Sequence, residues 1–420
     1  MNILIIGNSA ASTAAIESIR KHDRQSSIIQ LSDEAQPLYS RCLLTYYLSD
    51  SIDREKLWYR EEGFHKKMAV DLHTGPGFRV IALNTDRQQV TCENGRTFNY
   101  DRLLLAVGSS AKLPADIPRD KGIFVLRNLA DVEAIKQYIR DAKIKRAVIS
   151  GGGLIGVKTA VALRECGLDT TIVVSSQQVL SQALDYHAAQ VINKKLRENN
   201  IEILMPVNIT EIISQDSRLR GVKINQGQVL DCDLLVVAKG VKPNIELAQA
   251  AGISVRRGII TNSFMQTNYE NIFAAGDVAE AYDIAIEDHT INALWTSAFQ
   301  QGRIAGLNMA GQKTGYNDAV GLNSFNVCDI SIISIGLTSP KDESGYTILT
   351  LNQLERNVYK KIVIDKNNHI KGIILLGKIA NAGVLLSLIQ RKVDVFEFKD
   401  ELLSDEFNYG TLLKYGIEKK

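Results

Sequence analysis

A glycine-rich turn set between a short apolar strand and a helix constrains what this chain can fold into more than any other feature. Residues 147–150 read as a buried strand, and Gly151-Gly152-Gly153-Leu154-Ile155-Gly156 follows as G-x-G-x-x-G where that strand should turn into a helix. Each glycine has a task in such a turn: Gly151 permits the tight bend, Gly153 lets the backbone approach a pyrophosphate, and Gly156 lets the helix pack closely on the strand. The first amides of the helix, at Leu154 and Ile155, then face the phosphates. The helix is predicted over 154–165, with Cys166-Gly167 ending it before a second strand at 170–174. The arrangement is that of a dinucleotide site.

The chain opens with a second version of the same unit. Residues 2–6 read as a strand, Gly7-Asn8-Ser9-Ala10-Ala11-Ser12 as the turn, 13–21 as the helix and 27–31 as the next strand, followed by Asp33-Glu34. Ser9 and Ser12 stand where glycines would be expected. Small residues still allow close backbone approach, and a serine hydroxyl can donate to phosphate. Asp33 or Glu34 sits where an acid would hold the ribose hydroxyls of an adenosine half, or else lies in a solvated loop.

Further along, residues 37–50 (PLYSRCLLTYYLSD) read as a short helix carrying Arg41 and Cys42. Residues 80–83, 89–93 and 97–100 form a strand meander broken by the turn Glu93-Asn94-Gly95. A buried strand is predicted over 103–108. A strand at 233–238 ends at Gly240-Val241-Lys242-Pro243-Asn244, and Ala274-Ala275-Gly276-Asp277 precedes a helix expected from about 292 to 309. From 321 the pattern changes to alternating strands (330–335, 347–351, 360–365, 370–376) and then helices.

Composition narrows the class. At 420 residues there is room for about two or three domains. A formal charge of +2 gives no electrostatic case for nucleic acid or an acidic membrane surface. Cys42, Cys92, Cys166, Cys232 and Cys328 are odd in number and widely spaced, without a C-x-x-C. That argues against a disulfide framework, a metal knuckle or a protein-bound iron–sulfur cluster, and for a reducing cytoplasm. The N-terminal strand lacks the basic region and long apolar core of a signal peptide, and no apolar run approaches the length of a membrane span.

Two nucleotide units in one chain suggest that a second, bound dinucleotide takes the electrons, and FAD is the obvious candidate. With the motifs at 7–12, Tyr39-Ser40-Arg41, Ala106-Val107-Gly108-Ser109, 151–156, 240–244 and 274–277, the chain resembles the FAD-dependent pyridine nucleotide–disulfide oxidoreductase superfamily over essentially its whole length. It is most similar to the nitrite-reductase, ferredoxin-reductase and rubredoxin-reductase-like branch, which includes FAD subunits serving carbon monoxide dehydrogenases and aldehyde or phenylglyoxylate oxidoreductases.

The resemblance implies an α/β protein with two Rossmann-like dinucleotide-binding domains and a C-terminal α+β interface domain. The FAD domain would comprise 1–112 and 243–318, the NAD(P) domain 113–242 and the interface domain 319–420. By the same resemblance Gly7, Ser9, Ala10, Ala11, Asp33 or Glu34, Arg41, Val80, Ala106, Gly108, Gly276 and Asp277 hold FAD, with the Asp277 carboxylate accepting from the ribityl hydroxyls. A helix starting near Trp295-Thr296 would point its N-terminus at the flavin pyrimidine edge, where its dipole, worth ~0.3–1 kcal/mol, favours the reduced anion. Trp295 is equally well read as a core aromatic. Gly151, Gly153, Leu154, Ile155, Gly156, Ser175 and Gly240 would hold NADH or NADPH.

Three departures from the family pattern matter. Relatives pair a lysine, after the Tyr-x-Arg motif, with a glutamate just after the second turn; here those positions are Tyr46 and Lys158, so a cation would reach the flavin without its carboxylate partner. Lys158 is then expected to stabilise negative charge as hydride arrives, unless it is a solvated helix lysine. Second, Ser175-Ser176-Gln177 replaces the acid that grips an adenine ribose, a charged hydrogen bond worth ~1.5–3 kcal/mol. Without it, and with no arginine nearby in sequence, NADH is favoured only slightly over NADPH. Third, Cys42 falls near the position used by single-cysteine NADH oxidases and peroxidases, where an arginine neighbour favours the thiolate; the alternative is a packing residue.

The expected activity is NAD(P)H:acceptor oxidoreduction, with hydride exchanged between nicotinamide and FAD and electrons between FAD and an iron–sulfur partner, ferredoxin-like or rubredoxin-like. The chain could be a homodimer or a subunit of a larger oxidoreductase. The alternatives are an oxidase or peroxidase using Cys42, and a noncatalytic redox-sensing or scaffold subunit.

Overall fold

The structure, a computed structural model, describes residues 1–114, 117–118, 120–225 and 227–417; the other residues of the segments 113–242 and 319–420 lie outside the described residues. The chain divides into two compact units, one of Met1–Cys42, Arg54–Ser110 and Val241–Gly321, the other of Leu43–Asp53, Ala111–Gly240 and Leu322–Lys420.

The first unit is built on a five-stranded sheet in the order Ile272–Ala274, Arg102–Leu105, Asn2–Ile6, Ser27–Ser32 and Val70–Thr74. Every pairing is parallel. Strands covered on both faces read as continuous apolar runs, and Ile3, Leu4, Ile5, Leu103, Leu104 and Leu105 are buried accordingly. The helix Ala10–His22 buries every residue from Ala10 to Ile16, with Ser18 and Ile19, so its first two turns are covered on all sides rather than along one amphipathic face. Against it lies the helix Trp295–Met309. A Cβ on Gly302 would sit 2.0 Å from the Ala11 carbonyl oxygen, and one on Gly306 2.4 Å from that of Ala15. The two helices therefore meet backbone to backbone. A three-stranded antiparallel meander, Val80–Asn84, Gln89–Cys92 and Thr97–Asn99, completes the part that matters here.

The second unit repeats the design with the parallel order Ile201–Leu204, Asp169–Val173, Arg146–Ser150, Leu234–Val237 and Ile123–Phe124. The helix Leu154–Glu165 follows its central strand. A five-stranded antiparallel sheet, ordered Leu322–Val327, Ile330–Gly336, Ile370–Leu376, Val358–Asp365 and Tyr346–Gln353, carries the C-terminal segment. Asp185 joins the two parts. Its carboxylate caps the helix Tyr186–Glu198 by accepting from the Ala188 N–H at 3.0 Å, and also accepts from the Tyr359 hydroxyl at 2.6 Å with the Lys361 ammonium at 3.3 Å.

Several expected elements differ in extent. The strand expected over 103–108 runs over Arg102–Leu105 and ends where both its neighbours end, at Ile6 and Ala274, three residues before Gly108 takes a left-handed φ of +64°. The helix expected from 13 begins at Ala10, where the Ser9 N–H donates to Ser12 Oγ. The helix expected from about 292 starts at Trp295, since the Asn292 amide is drawn to Asp283 at 2.8 Å. Residues 37–50 give a 3-10 turn, Arg41–Leu43, and a short helix, Leu44–Leu48, in place of one helix.

Alanine in place of glycine stabilises an unconstrained helix by about 1 kcal/mol. At residue 302 the added methyl would strike backbone that cannot rotate away, and overpacking of that kind costs about 1–3 kcal/mol. Gly302→Ala is expected to lower the thermal unfolding midpoint; a raised midpoint would show that the two helices are not in backbone contact.

Candidate functional site

In the first unit the opening turn is held on three sides. Gly7 adopts φ +115°, and a Cβ there would lie 2.1 Å from the Ala106 carbonyl oxygen. On the helix side Ser12 Oγ accepts from the Ser9 N–H and donates to the Ser9 carbonyl, both at 2.9 Å, and Thr13 Oγ1 donates to the same carbonyl at 2.9 Å. Ser12 is fully buried, so its hydroxyl is spent on the turn and is not the phosphate donor considered from the sequence. Opposite, Gly276, at φ +85°, donates its N–H to Gln301 Oε1 at 2.8 Å, and a Cβ there would meet the Ala11 methyl at 3.3 Å. Ala10 is buried with Ala11 at the start of the helix.

Four separate motifs converge beside that turn. Ser109 Oγ donates to Asp277 Oδ2 at 2.9 Å. Asn244 Nδ2 donates to the Val107 carbonyl at 2.8 Å, and the Asn244 N–H to that of Gly108 at 3.0 Å. Glu34 accepts from the Tyr39 hydroxyl at 2.6 Å and from the Arg41 guanidinium, which also lies 5.1 Å from the Tyr39 ring centre. Burial works against the charge on Arg41, but Tyr39, Glu34 and Asp277 more than offset it and hold its pKa above the ordinary value. Glu34 is thus the acid engaged by its neighbours, while Asp33 is exposed just past the strand. Val80 is half-buried on the meander. Trp295 opens its helix with its ring edge-on to Tyr59 at 5.1 Å, and Thr296 beside it is exposed. Gln301 carried no periodicity or motif that would have marked it, and Ser109 and Asn244, though they end two of the quoted motifs, had no role of their own there; only the folded chain brings them to the turn.

The second turn, in the second unit, keeps its glycines for three different reasons. Gly151 adopts φ +132° and would place a Cβ 2.3 Å from the Ala238 carbonyl oxygen. Gly156 would place one 2.0 Å from the Gly151 oxygen, whereas Gly153, the residue capping the helix, faces open space with nothing within 4 Å of its Cβ position. The amides of Leu154 and Ile155 belong to the first turn of that helix and have no intrahelical acceptor. Room at Gly153 and donors beside it fit a pyrophosphate. Ser175 is exposed beyond the second strand, Ser176 Oγ donates to the Gln178 carbonyl at 2.8 Å, and Gly240 adopts φ +89°.

Lys158 is not the lone cation its missing glutamate suggested. Its ammonium donates to the Tyr46 hydroxyl at 2.8 Å, lies 4.1 Å from that ring's centre and reaches the Asn326 carbonyl at 3.4 Å. Among the cysteines, burial pushes the thiols of Cys92, Cys166 and Cys328 up and that of Cys232 to about 12, which disfavours thiolate chemistry at those four. Cys42 is exposed beside Arg41. Among the described residues no group of three or more His, Cys, Asp or Glu is placed to hold a metal ion, and no helix is long and apolar enough to cross a membrane.

Residues 1–302 match the family pattern of pyridine nucleotide-disulphide oxidoreductases, and 322–393 that of the rubredoxin NAD+ reductase C-terminal domain. The assimilatory nitrate reductase electron transfer subunit of Bacillus subtilis is 29% identical over 407 residues, covering 96% of this chain and 51% of the relative. The chain thus spans about half the length of that protein. The epsilon subunit of the NADH-dependent phenylglyoxylate dehydrogenase of Aromatoleum evansii is 30% identical over 412 residues, 97% of this chain and 96% of that subunit. Among solved structures, the ferredoxin reductase for the CYP199A2 system of Rhodopseudomonas palustris superposes with a TM-score of 0.81 at 25% identity, covering 91% of this chain and 92% of that one.

The three glycines of the second turn should separate experimentally. Gly156→Ala is expected to lower the thermal midpoint with or without nucleotide. Gly153→Ala is expected to leave the unliganded midpoint in place and to lose most of the rise that NADH produces. Equal unliganded midpoints for the two variants would refute the distinction.

Proposed function

The chain belongs to the pyridine nucleotide-disulphide oxidoreductase family, and on that footing we propose that it is an NAD(P)H:acceptor oxidoreductase carrying FAD at its first turn and taking NADH or NADPH at its second. The observation that carries this reading is the pair of dinucleotide turns, each at the carboxyl edge of its own parallel sheet, where such ligands bind in open α/β folds. FAD supplies the chemistry by which hydride from a nicotinamide is passed on as single electrons.

The chain's own residues supply binding and charge. In this reading Gly7, Ser9, Ala10 and Ala11 give the diphosphate close backbone approach, with Glu34 taking the adenosine ribose and Arg41 adding positive charge. Ala106 and Gly108 line the same turn. Asp277, oriented by Ser109, accepts from the ribityl hydroxyls, and the helix opening at Trp295 and Thr296 directs its positive end toward developing negative charge. Gly151, Gly153, Leu154, Ile155 and Gly156 hold the nicotinamide nucleotide, with Ser175 and Gly240 at its margins. Lys158, steadied by Tyr46, provides a fixed cation for the reacting end. The FAD part corresponds to 1–112 with 243–318, the NAD(P) part to 113–242 and an interface part to 319–420.

The partner in this reading is an iron–sulfur protein or subunit, ferredoxin-like or rubredoxin-like. It is supported by the relatives' own descriptions as an electron transfer subunit, a dehydrogenase subunit and a ferredoxin reductase, and by the match to the rubredoxin NAD+ reductase C-terminal domain. Assembly as a homodimer or within a larger oxidoreductase, and a cytoplasmic location, complete the proposal. The exposure of Cys42 beside Arg41 favours one second reading, an oxidase or peroxidase.

Turnover of NADH and NADPH by the FAD-loaded protein separates the two. Slow oxidation in air with fast anaerobic reduction of a viologen dye is expected; fast oxidation in air, little helped by the dye and lost in Cys42→Ser, would replace the proposal with the oxidase. Lys158→Met is expected to slow anaerobic flavin bleaching by NADH at least tenfold, the order of effect seen for loss of one preorganised electrostatic group. An unchanged rate would remove Lys158 from the mechanism.

A further inference from the structure

The antiparallel sheet of the C-terminal segment ends in two edge strands that are treated differently. At Leu322–Val327 the Asn326 carbonyl accepts from the Lys158 ammonium at 3.4 Å, so that edge is tied to the rest of its unit. The other edge is Tyr346–Gln353. It is eight residues long and pairs with Val358–Asp365 without a break in register, so every second residue turns its N–H and C=O away from the sheet. The Tyr346 N–H donates to the Glu343 carbonyl at 3.0 Å; beyond that, among the described residues, no backbone hydrogen bond or strand meets the outer side.

A row of open main-chain groups is a template for another strand, and folded proteins blunt it with charge, proline, bulges or brevity. The rest of this chain does so. Asp71, Glu202 and Glu211 place charge on the edges Val70–Thr74, Ile201–Leu204 and Ile209–Gln215, and Val80–Asn84 breaks register between Val80 and Ala82. Apart from Leu322–Val327, the remaining edge strands among the described residues are two or three residues long. Tyr346–Gln353 has no charge, no proline and no bulge.

We propose that Tyr346–Gln353 is a self-pairing edge: two copies of the chain join it antiparallel about a two-fold axis and merge their C-terminal sheets into one. The inference rests on the homodimer named among the assemblies above, and on no cofactor. Its occupant follows from charge. In a two-fold contact the strand meets its own residues, so any Asp, Glu or Lys within it would face a like charge; this strand carries none. The outward amides and carbonyls give direction and register. Tyr346, Ile348, Leu349 and Leu351, all half-buried, give apolar surface on both faces of the strand, and the exposed Thr347 and Thr350 suit cross-strand pairing.

The test measures sedimentation of the full FAD-loaded chain over a range of concentrations, for the wild type, Thr350→Lys and Thr350→Glu. A pairing that uses the whole strand sets the axis near Leu349 and Thr350, so the two copies of residue 350 lie within about 8 Å of each other. The wild type is expected to dimerise. Either variant alone is expected to raise the dimer dissociation constant about tenfold, and an equal mixture of the two to restore it, because unlike charges then face across the axis. A dimer unchanged in Thr350→Lys would overturn the edge contact while leaving the homodimer standing. A wild type that stays monomeric at every concentration would refute the homodimer reading and this proposal with it. Amide hydrogen exchange of the wild type serves if a variant does not fold: exchange within residues 347–353 is expected to slow as the dimer forms, and exchange there that is indifferent to dimer formation would overturn the proposal.

Discussion

The contact of two helix backbones at Gly302 and Gly306 with Ala11 and Ala15 is the constraint on which the first unit depends. It sets the helix Ala10–His22 so close to its neighbour that Gly276 also reaches Ala11, and this brings Asp277 to the turn that opens the chain. Ser109, reaching Asp277 from the strand side, then closes the arrangement. A methyl group anywhere along that seam would move the helix that begins at the first turn. Interior packing is close enough that such a displacement is transmitted rather than absorbed.

The two turns reach one geometry by different chemistry. At the second, glycines leave room, and each missing side chain either avoids a backbone oxygen or opens a face to the ligand. At the first, serine and threonine hydroxyls tie the turn back on itself, Gly7 makes the single close approach, and a buried amide braces it from below. Hydroxyl groups near a helix start commonly satisfy backbone donors in this way. A degraded glycine pattern is thus not a degraded site, because the shape of the turn is specified by hydrogen bonds as well as by permissive residues.

Charge in the second unit is organised around pairs that no single motif announces. Lys158 and Tyr46 come together from segments far apart in sequence, so the cation is steadied by an aromatic hydroxyl and ring where a carboxylate was looked for. Asp185 caps one helix while holding Tyr359 and Lys361 of the C-terminal sheet, and Lys195 reaches Asp329 at 2.9 Å. Burial and the Asp185 carboxylate both push Tyr359 up, which keeps its hydroxyl a donor. These contacts fasten the segment Leu322–Lys420 to the nucleotide-binding part of its unit.

Strand and helix periodicity, with the glycine spacing at 151–156, determined by themselves that the chain would build two parallel α/β sheets each carrying a dinucleotide turn. Those features are local: hydrophobic runs, small residues and positive φ act over a few positions and can be read from neighbours. The antiparallel strands Ile209–Gln215, Arg218–Ile224 and Val229–Asp231 and the helix Leu129–Ala142 were not marked, since their weaker patterns are completed by packing. The engagement of Glu34 by Tyr39 and Arg41, the spending of Ser12 on its own turn and the partnership of Lys158 with Tyr46 were decided only by tertiary structure. Lys158 and Tyr46 lie far apart in sequence, and a hydrogen bond between such residues leaves no trace in either local sequence; Ser12 and Glu34 bond near neighbours, but several short-range partners were open to each and only the folded backbone selects among them.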